Sequence, residues 1–494
     1  MSGLLSSMFR PVRLDGTGAT SIARGSVLST TGLVAQGLLR FLTAFLVGRL
    51  AGRAELGVVA TAIAAATLLA LLWPTTAGSA ASKYLARARG ADRPEEVRSS
   101  AAHLARRTAQ TAVPLGVAGA LVWVLVDHGS WAGGVCVAAL TVAYAGYSFT
   151  RGVQFGVAQV PRATAWDLAS VAVGLVALLA LLLAGVRGPV LVLPLVLAYG
   201  LYATAGWPWG ARGRPDAATR REIDVFVALG ATGTVASTGF LQLSQITAKV
   251  TSGDADAGQY AAALNLATPA SMLAASLSLV LFPSMAEAWG RGDHSTFHAR
   301  TDRATRALAV VMVAIFGSIA IASRLLVDVV WGEQFEGAVA VLPVLAVAIL
   351  ATNLGVASVN ALTTRSARGM WVTTGASLAG LVVGTAAWAL LAPSLGILGV
   401  ALGYLCGTVV IAAVPVAVTW RQDGHAWGPV FARVLAGLVL VAAVIAVEYA
   451  TGVSPWVDPL FVLGFLGAWW LVCRRDAADV LALLPWSRRP RDGA

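Results

Sequence analysis

The sequence predicts an all-α membrane protein of about fourteen transmembrane helices. They are expected to form two pseudo-symmetric six-helix lobes around a central cavity, with two further helices at the C-terminus. Three observations carry this prediction. Of 494 residues, 57% are hydrophobic and only 12% are charged, about half the charge of soluble domains. Apolar runs long enough to cross a bilayer, roughly 20 residues each, recur along the whole chain. The two halves also repeat one another weakly, as lobes related by an internal duplication do.

After an N-terminal segment at 1–25, the first six spans lie near 26–50, 55–79, 108–126, 131–150, 164–185 and 188–207, forming an N-lobe over 26–207. An Arg-rich connector at 208–223 leads to spans near 224–249, 258–285, 305–323, 337–359, 370–392 and 395–418, a C-lobe over 224–418. A final pair, near 430–450 and 456–473, occupies 419–473, and a basic tail covers 474–494. Pro74, Pro114 and Pro269 fall within spans and are expected to kink them. Arg87, Arg98, Arg106 and the apolar residues between them predict an amphipathic helix on the inner surface, and Ala477 to Trp486, followed by Arg488 and Arg489, predict another.

The charge pattern orients the chain. With both termini inside, the inner segments hold 29 Lys and Arg residues and the outer loops five, namely Arg49, Arg53, Arg187, Lys249 and Arg324, while Arg40 lies inside the first span. Cytoplasmic loops carry this excess, and only an even number of spans keeps every basic loop on one side. The net charge of +11 thus reflects topology and anionic lipid, and excludes a nucleic-acid role. Cys136, Cys406 and Cys473 lie within or at the ends of spans, so no disulfide framework, metal site or cofactor is expected. His294 and His298 stand four apart, but with no third ligand nearby in the chain they read as a solvated linker face. The first span lacks a signal peptide's short core and cleavage site, so its retention is expected. Two lysines among 35 basic residues suggest a GC-rich bacterial genome, and hence the inner or sole cell membrane.

The duplication is legible in three places. Ala54-Glu55-Leu56-Gly57-Val58-Val59-Ala60 resembles Ala255-Asp256-Ala257-Gly258-Gln259-Tyr260-Ala261, at an offset of 201. Arg89-Gly90-Ala91-Asp92 resembles Arg291-Gly292-Asp293 at the same offset, and Gln154 and Arg162 match Asn360 and Arg368 at 206. Each six-span set enters the membrane in the same direction, which implies a pseudo-twofold axis along the membrane normal.

From about residue 25 to 420 the chain resembles the polysaccharide or oligosaccharide flippases of the multidrug/oligosaccharidyl-lipid/polysaccharide exporter superfamily. The resemblance is carried by Gly48-Arg49-Leu50 and Glu55-Leu56-Gly57 after span one, Ala257-Gly258-Gln259-Tyr260 entering span eight and Pro283 ending it. Trp331-Gly332-Glu333-Gln334-Phe335 before span ten and Leu395-Gly396-Ile397-Leu398-Gly399-Val400 entering span twelve complete it. It implies two bundles that open alternately inward and outward, and no enzymatic step. Its implied partners are a polyprenyl-diphosphate-linked glycan, membrane lipids, and a glycan polymerase or glycosyltransferases of the same pathway. A lipid II flippase, a multidrug antiporter and a membrane glycosyltransferase or ligase are the rivals. No carboxylate stands in mid-span, since Asp167 and Asp224 read as inner ends and Glu448 as an outer end, and this weighs against cation antiport.

Residues that would meet such a substrate follow from helical spacing. In span one, Ser29, Gln36, Arg40 and Thr43 share a face, and in span seven so do Thr238, Gln242, Gln245 and Lys249. The cations suit a diphosphate and the amides suit sugar hydroxyls. The alternative is that Arg40 is paired within a bundle, that the glutamines bond between helices, and that Lys249 reaches the outer boundary. Arg151, Arg162, Arg365 and Arg368 line the short inner connections after spans four and ten, with Gln154 and Asn360 at the inner ends of those spans. Guanidinium forks match phosphate oxygens; ordinary inner-side positive charge is the other reading.

Overall fold

The computed structural model describes residues 12–14, 22–125 and 129–481. Residues 482–486 of the expected tail helix, with Arg488 and Arg489, lie outside the described residues, as does most of the segment before Ile22. The described chain is all-α: α1 (Ile22–Ala51), α2 (Arg53–Leu71), α3 (Pro74–Gly90), α4 (Pro94–Leu125), α5 (Trp131–Gly156), α6 (Val160–Leu183), α7 (Leu193–Gly206) and α8 (Ala217–Thr234). There follow α9 (Phe240–Ala267), α10 (Ser271–Gly290), α11 (His294–Ile321), α12 (Ser323–Val330), α13 (Gly337–Arg365), α14 (Ala367–Asp423), α15 (Gly428–Thr451) and α16 (Asp458–Leu481).

Twelve described segments are long and apolar enough to cross a membrane. Two of them, 217–275 with 59 residues and 368–423 with 56, would run to about 85 Å at 1.5 Å per residue, against a core of about 30 Å. Each is broken once, at Gly253 (φ 83°, ψ 179°) and at Gly396 (φ 53°, ψ −132°), conformations a side chain would oppose. Both therefore cross twice, and twelve segments become fourteen spans. A short π-helical turn, Val235–Gly239, joins α8 to α9.

Several expected boundaries move. The second span, expected over 55–79, stops at Leu71, and Pro74 opens α3, its absent N–H coinciding with a free helix start. Pro114 stays inside an unbroken α4, whereas Pro269 sits in a 3-10 turn between α9 and α10. The amphipathic helix expected from Arg87 to Arg106 is two helices, because Asp92 turns the chain with φ 54° and α4 starts at Pro94 and continues into the span. Gly292 (φ 73°) turns the second linker in the same way. Arg93 N–H reaches Ala88 O and Asp293 N–H reaches Ala288 O, both at 3.0 Å. The structural offset here is thus 200, one less than the aligned residues indicate. Asp293 caps α11 by accepting from Thr296 N–H at 3.0 Å.

The chain forms two compact units, Met1–Ala261 and Ala262–Ala494, the division falling inside the segment assigned by the repeat to the C-lobe. In the first, α5 is the hub, packed by α2, α3, α4 and α7, while α1 lies on α6 and α8 on α3. In the second, α13 packs on α10, α11 and α14, and α15 and α16 pack on α11. Large apolar side chains such as Val176, Leu183 and Leu390 face outward, 71–77% exposed, as a lipid solvent allows.

The duplication has a physical counterpart inside the first unit. A Cβ on Gly57 would overlap the Asp254 carbonyl, and one on Gly258 would overlap the Arg53 carbonyl. Gly57 and Gly258 are repeat equivalents, and so are Arg53 and Asp254. The contact is reciprocal, as a local twofold requires, and both positions need glycine to let two backbones touch.

Candidate functional site

The polar stripe of α1 meets α5, α6 and α7. Gln36, 7% exposed, donates to Asp167 Oδ1 at 3.1 Å and to Ser170 Oγ at 3.2 Å. Asp167, expected near an inner span end, is 1% exposed within the bundle. Arg151 Nε bonds its Oδ2 at 3.3 Å and Tyr147 Oη donates to Oδ1 at 3.3 Å. A buried carboxylate needs such compensation, and α1 and α5 each supply part of it. Thr43 is buried and Ser29 partly so.

Arg40, near the middle of the first span, is held differently. Its Nε donates to Tyr199 Oη at 3.2 Å, and its guanidinium lies 5.0 Å from the Tyr144 ring centroid. Among the described residues no carboxylate lies within ion-pair reach of it. Tyr144, Tyr147, Tyr199 and Tyr202 form one aromatic cluster, with centroid distances of 4.8–6.0 Å. It combines aromatic faces for the cation with hydroxyls for hydrogen bonds.

Toward the Arg-rich side, Gln154 and Arg162 come together against the end of α7. Arg162 Nη2 donates to Ala205 O at 2.7 Å, and Gln154 is fully buried against Gly206. Arg162 Nε and Nη1, both Gln154 amide atoms and Tyr202 Oη are buried without hydrogen-bond partners. Their repeat counterparts in the second unit are placed otherwise. Asn360 is 9% exposed, Arg368 is at the surface, and Arg365 is ion-paired to Asp423.

The span-seven stripe has other partners. Gln245 Nε2 donates to Ala257 O at 3.0 Å across the Gly253 hairpin. Lys249 pairs with Asp254 at 2.9 Å and lies 4.4 Å from the Trp123 ring centroid. Gln242 is half-buried, and Thr238 lies in the π-helical turn before this helix. The structure thus gathers Arg40, Gln36, Arg151, Gln154 and Arg162 around one tyrosine cluster, and leaves Gln242, Gln245 and Lys249 apart from it.

Sequence reasoning missed the tyrosines and the reach of Asp167. A signal existed: four of the eight tyrosines fall as two i, i+3 pairs, 144/147 and 199/202, on spans four and six.

A sequence model of the family described as the lipid II flippase MurJ matches residues 138–469. The chain belongs to the MurJ lipid II flippase family. Solved structures of MurJ and its superfamily share the fold. An inward closed conformation of the lipid II flippase MurJ superposes with a TM-score of 0.65 at 10% identity, covering 92% of this chain and 100% of the other. An inward-facing multidrug resistance transporter of the MATE family gives 0.65 at 14% identity, covering 80% and 98%. A superfamily transporter from Pyrococcus furiosus, described as having a binding pocket of reversed polarity, gives 0.59 at 14%, covering 82% and 95%. A comparison with curated proteins finds no match. This MurJ-family chain is therefore a multi-pass membrane transporter, a lipid flippase by family.

Proposed function

We propose that the protein carries a polyprenyl-diphosphate-linked glycan from the cytoplasmic to the outer leaflet of a bacterial cell membrane. Both termini would lie in the cytoplasm and the two lobes, 26–207 and 224–418, would open alternately. Lipid II, one of the alternatives to a surface-polysaccharide precursor on sequence alone, becomes the favoured cargo because of the family match.

Arg40 carries the reading. A mid-membrane guanidinium that has only tyrosine partners among the described residues retains its attraction for an anion, and intramembrane ionisable groups mark substrate paths. Arg151 and Arg162 would receive the diphosphate from the Arg-rich side, with Gln154 and Tyr202 as further donors. The multidrug reading gains little from Asp167, since Arg151 already neutralises it.

The test is mass spectrometry of the lipid extract after depletion in the native host. Accumulated lipid II supports the proposal in its specific form, and another polyprenyl-diphosphate glycan identifies a different cargo of the same class. If no such lipid rises while cells retain a cationic dye, the multidrug reading replaces it. Arg40→Ala, expressed at normal level, should lower transport roughly 10- to 100-fold, the value of a charge-assisted hydrogen bond; unchanged transport removes its central role.

A further inference from the structure

In the second unit the end of α14, the start of α11 and the loop into α15 converge on three metal-ligating side chains. We propose that His298, Asp423 and His425 bind a divalent transition-metal ion of the zinc class. One ligand atom from each lies within 4.8 Å of the others. His298 Nδ1 stands 3.8 Å and His425 Nε2 3.3 Å from Asp423 Oδ2. Ligand atoms bonded at about 2.0–2.1 Å in a tetrahedral site are about 3.3 Å apart, so only side-chain movement is needed to close around an ion.

A second observation points to a ligand. His425 Nε2 is buried and faces Asp423 Oδ2 at 3.3 Å without the geometry of a full hydrogen bond. The ring is held in place by stacking on Trp427, with centroids 4.5 Å apart and planes at 16°. It also lies 5.9 Å from the His298 ring. Asp423 is 2% exposed and ends α14, after which Gly424 (φ 64°) swings the chain back to bring His425 over it. Two imidazoles and one carboxylate suit zinc and its neighbours rather than magnesium or calcium. Three protein ligands leave one position for water.

The charged neighbours define the competition. Arg365 is paired with the same Asp423 oxygen, and its guanidinium rests 4.9 Å from the Phe297 ring centroid. Asp302, one turn beyond His298, is already engaged by Trp427 Nε1 and Arg306 Nε, both at 2.8 Å. His294 packs on Trp289 at 4.7 Å and takes no part. Metal and Arg365 therefore compete for Asp423, and metal binding would release a guanidinium at the end of α13.

The experiment is calorimetric titration of zinc into the full-length, untagged protein in detergent, with cobalt absorption as the coordination readout. One ion should bind per chain, and cobalt should show the intense visible bands of a four-coordinate nitrogen and oxygen site. His298→Gln and His425→Gln should each weaken binding by roughly tenfold or more. Arg365→Gln should tighten it, by removing the competing cation. The absence of one-to-one binding, unchanged binding in the double histidine variant, or unchanged or weaker binding in Arg365→Gln each overturns the proposal. If a variant fails to fold, the wild-type cobalt spectrum decides: octahedral, water-like bands refute the site.

Discussion

The polar stripes of span one and span seven are repeat equivalents with similar residues, yet they are used differently. Gln36 reaches 131 positions along the chain to Asp167, and Arg40 reaches 159 to Tyr199. Gln245 reaches 12, and Lys249 reaches five to Asp254 and 126 to the Trp123 ring. One stripe builds a buried polar network within a bundle; the other braces its own hairpin and meets one aromatic ring on α4. A duplicated pattern conserves the helix face but leaves its partners to whatever packs there.

The largest test of this contrast is the loss of each stripe's acid. Asp167→Ala strands Arg151 in the bundle and should cost about 3–5 kcal/mol, read as thermal unfolding in detergent. Asp254 is 44% exposed and its partner Lys249 8%, so replacing Asp254 by Ala should cost less, about 1–3 kcal/mol. Equal losses would break the comparison. Pairing Asp167→Ala with Arg151→Ala sharpens it: the double variant should recover about 1–3 kcal/mol of the summed loss, and simple additivity would mean the two groups are not coupled.

Where the halves do meet symmetrically, they should fail alike. Gly57→Ala and Gly258→Ala each force a methyl into a carbonyl and should each destabilise by about 1–3 kcal/mol. If one is silent in the same unfolding assay, the reciprocal contact is wrong.

The smallest effect lies in the linkers. Asp293, which the first linker does not match, is held down to about 2 by hydrogen bonds from Thr296 and Ser295. A depressed carboxylate stabilises above its unfolded value near ~4 and loses that contribution as pH falls through about 2. Asp293→Ala should therefore lower the unfolding temperature slightly at pH 7, with the gap to wild type closing between pH 4 and 2. A gap that persists at pH 2 would assign the effect to something other than the cap.

Much of this was legible along the chain. The spans were, because apolar runs alternate with short polar and basic segments; the exact breaks at Gly253 and Gly396 came from the structure. So was Arg40, as a charge stranded in mid-span. The burial of Asp167 was not legible, because it comes from side chains on α1 and α5 rather than from its distance to a span end. His298 was set aside for want of a nearby third ligand; Asp423 and His425 lie more than a hundred residues away and arrive only because the end of α14 meets the start of α11.

By itself, then, the sequence determined that the chain is helical, that it crosses the membrane many times, and that its halves are related. These follow from hydropathy and glycine placement, which act over some twenty residues and need no partner. Only the tertiary structure decided which polar groups are satisfied and which stay open. Hydrogen bonds and ion pairs reach about 3–4 Å, and the rotation of each helix against its neighbours determines which side chains come that close.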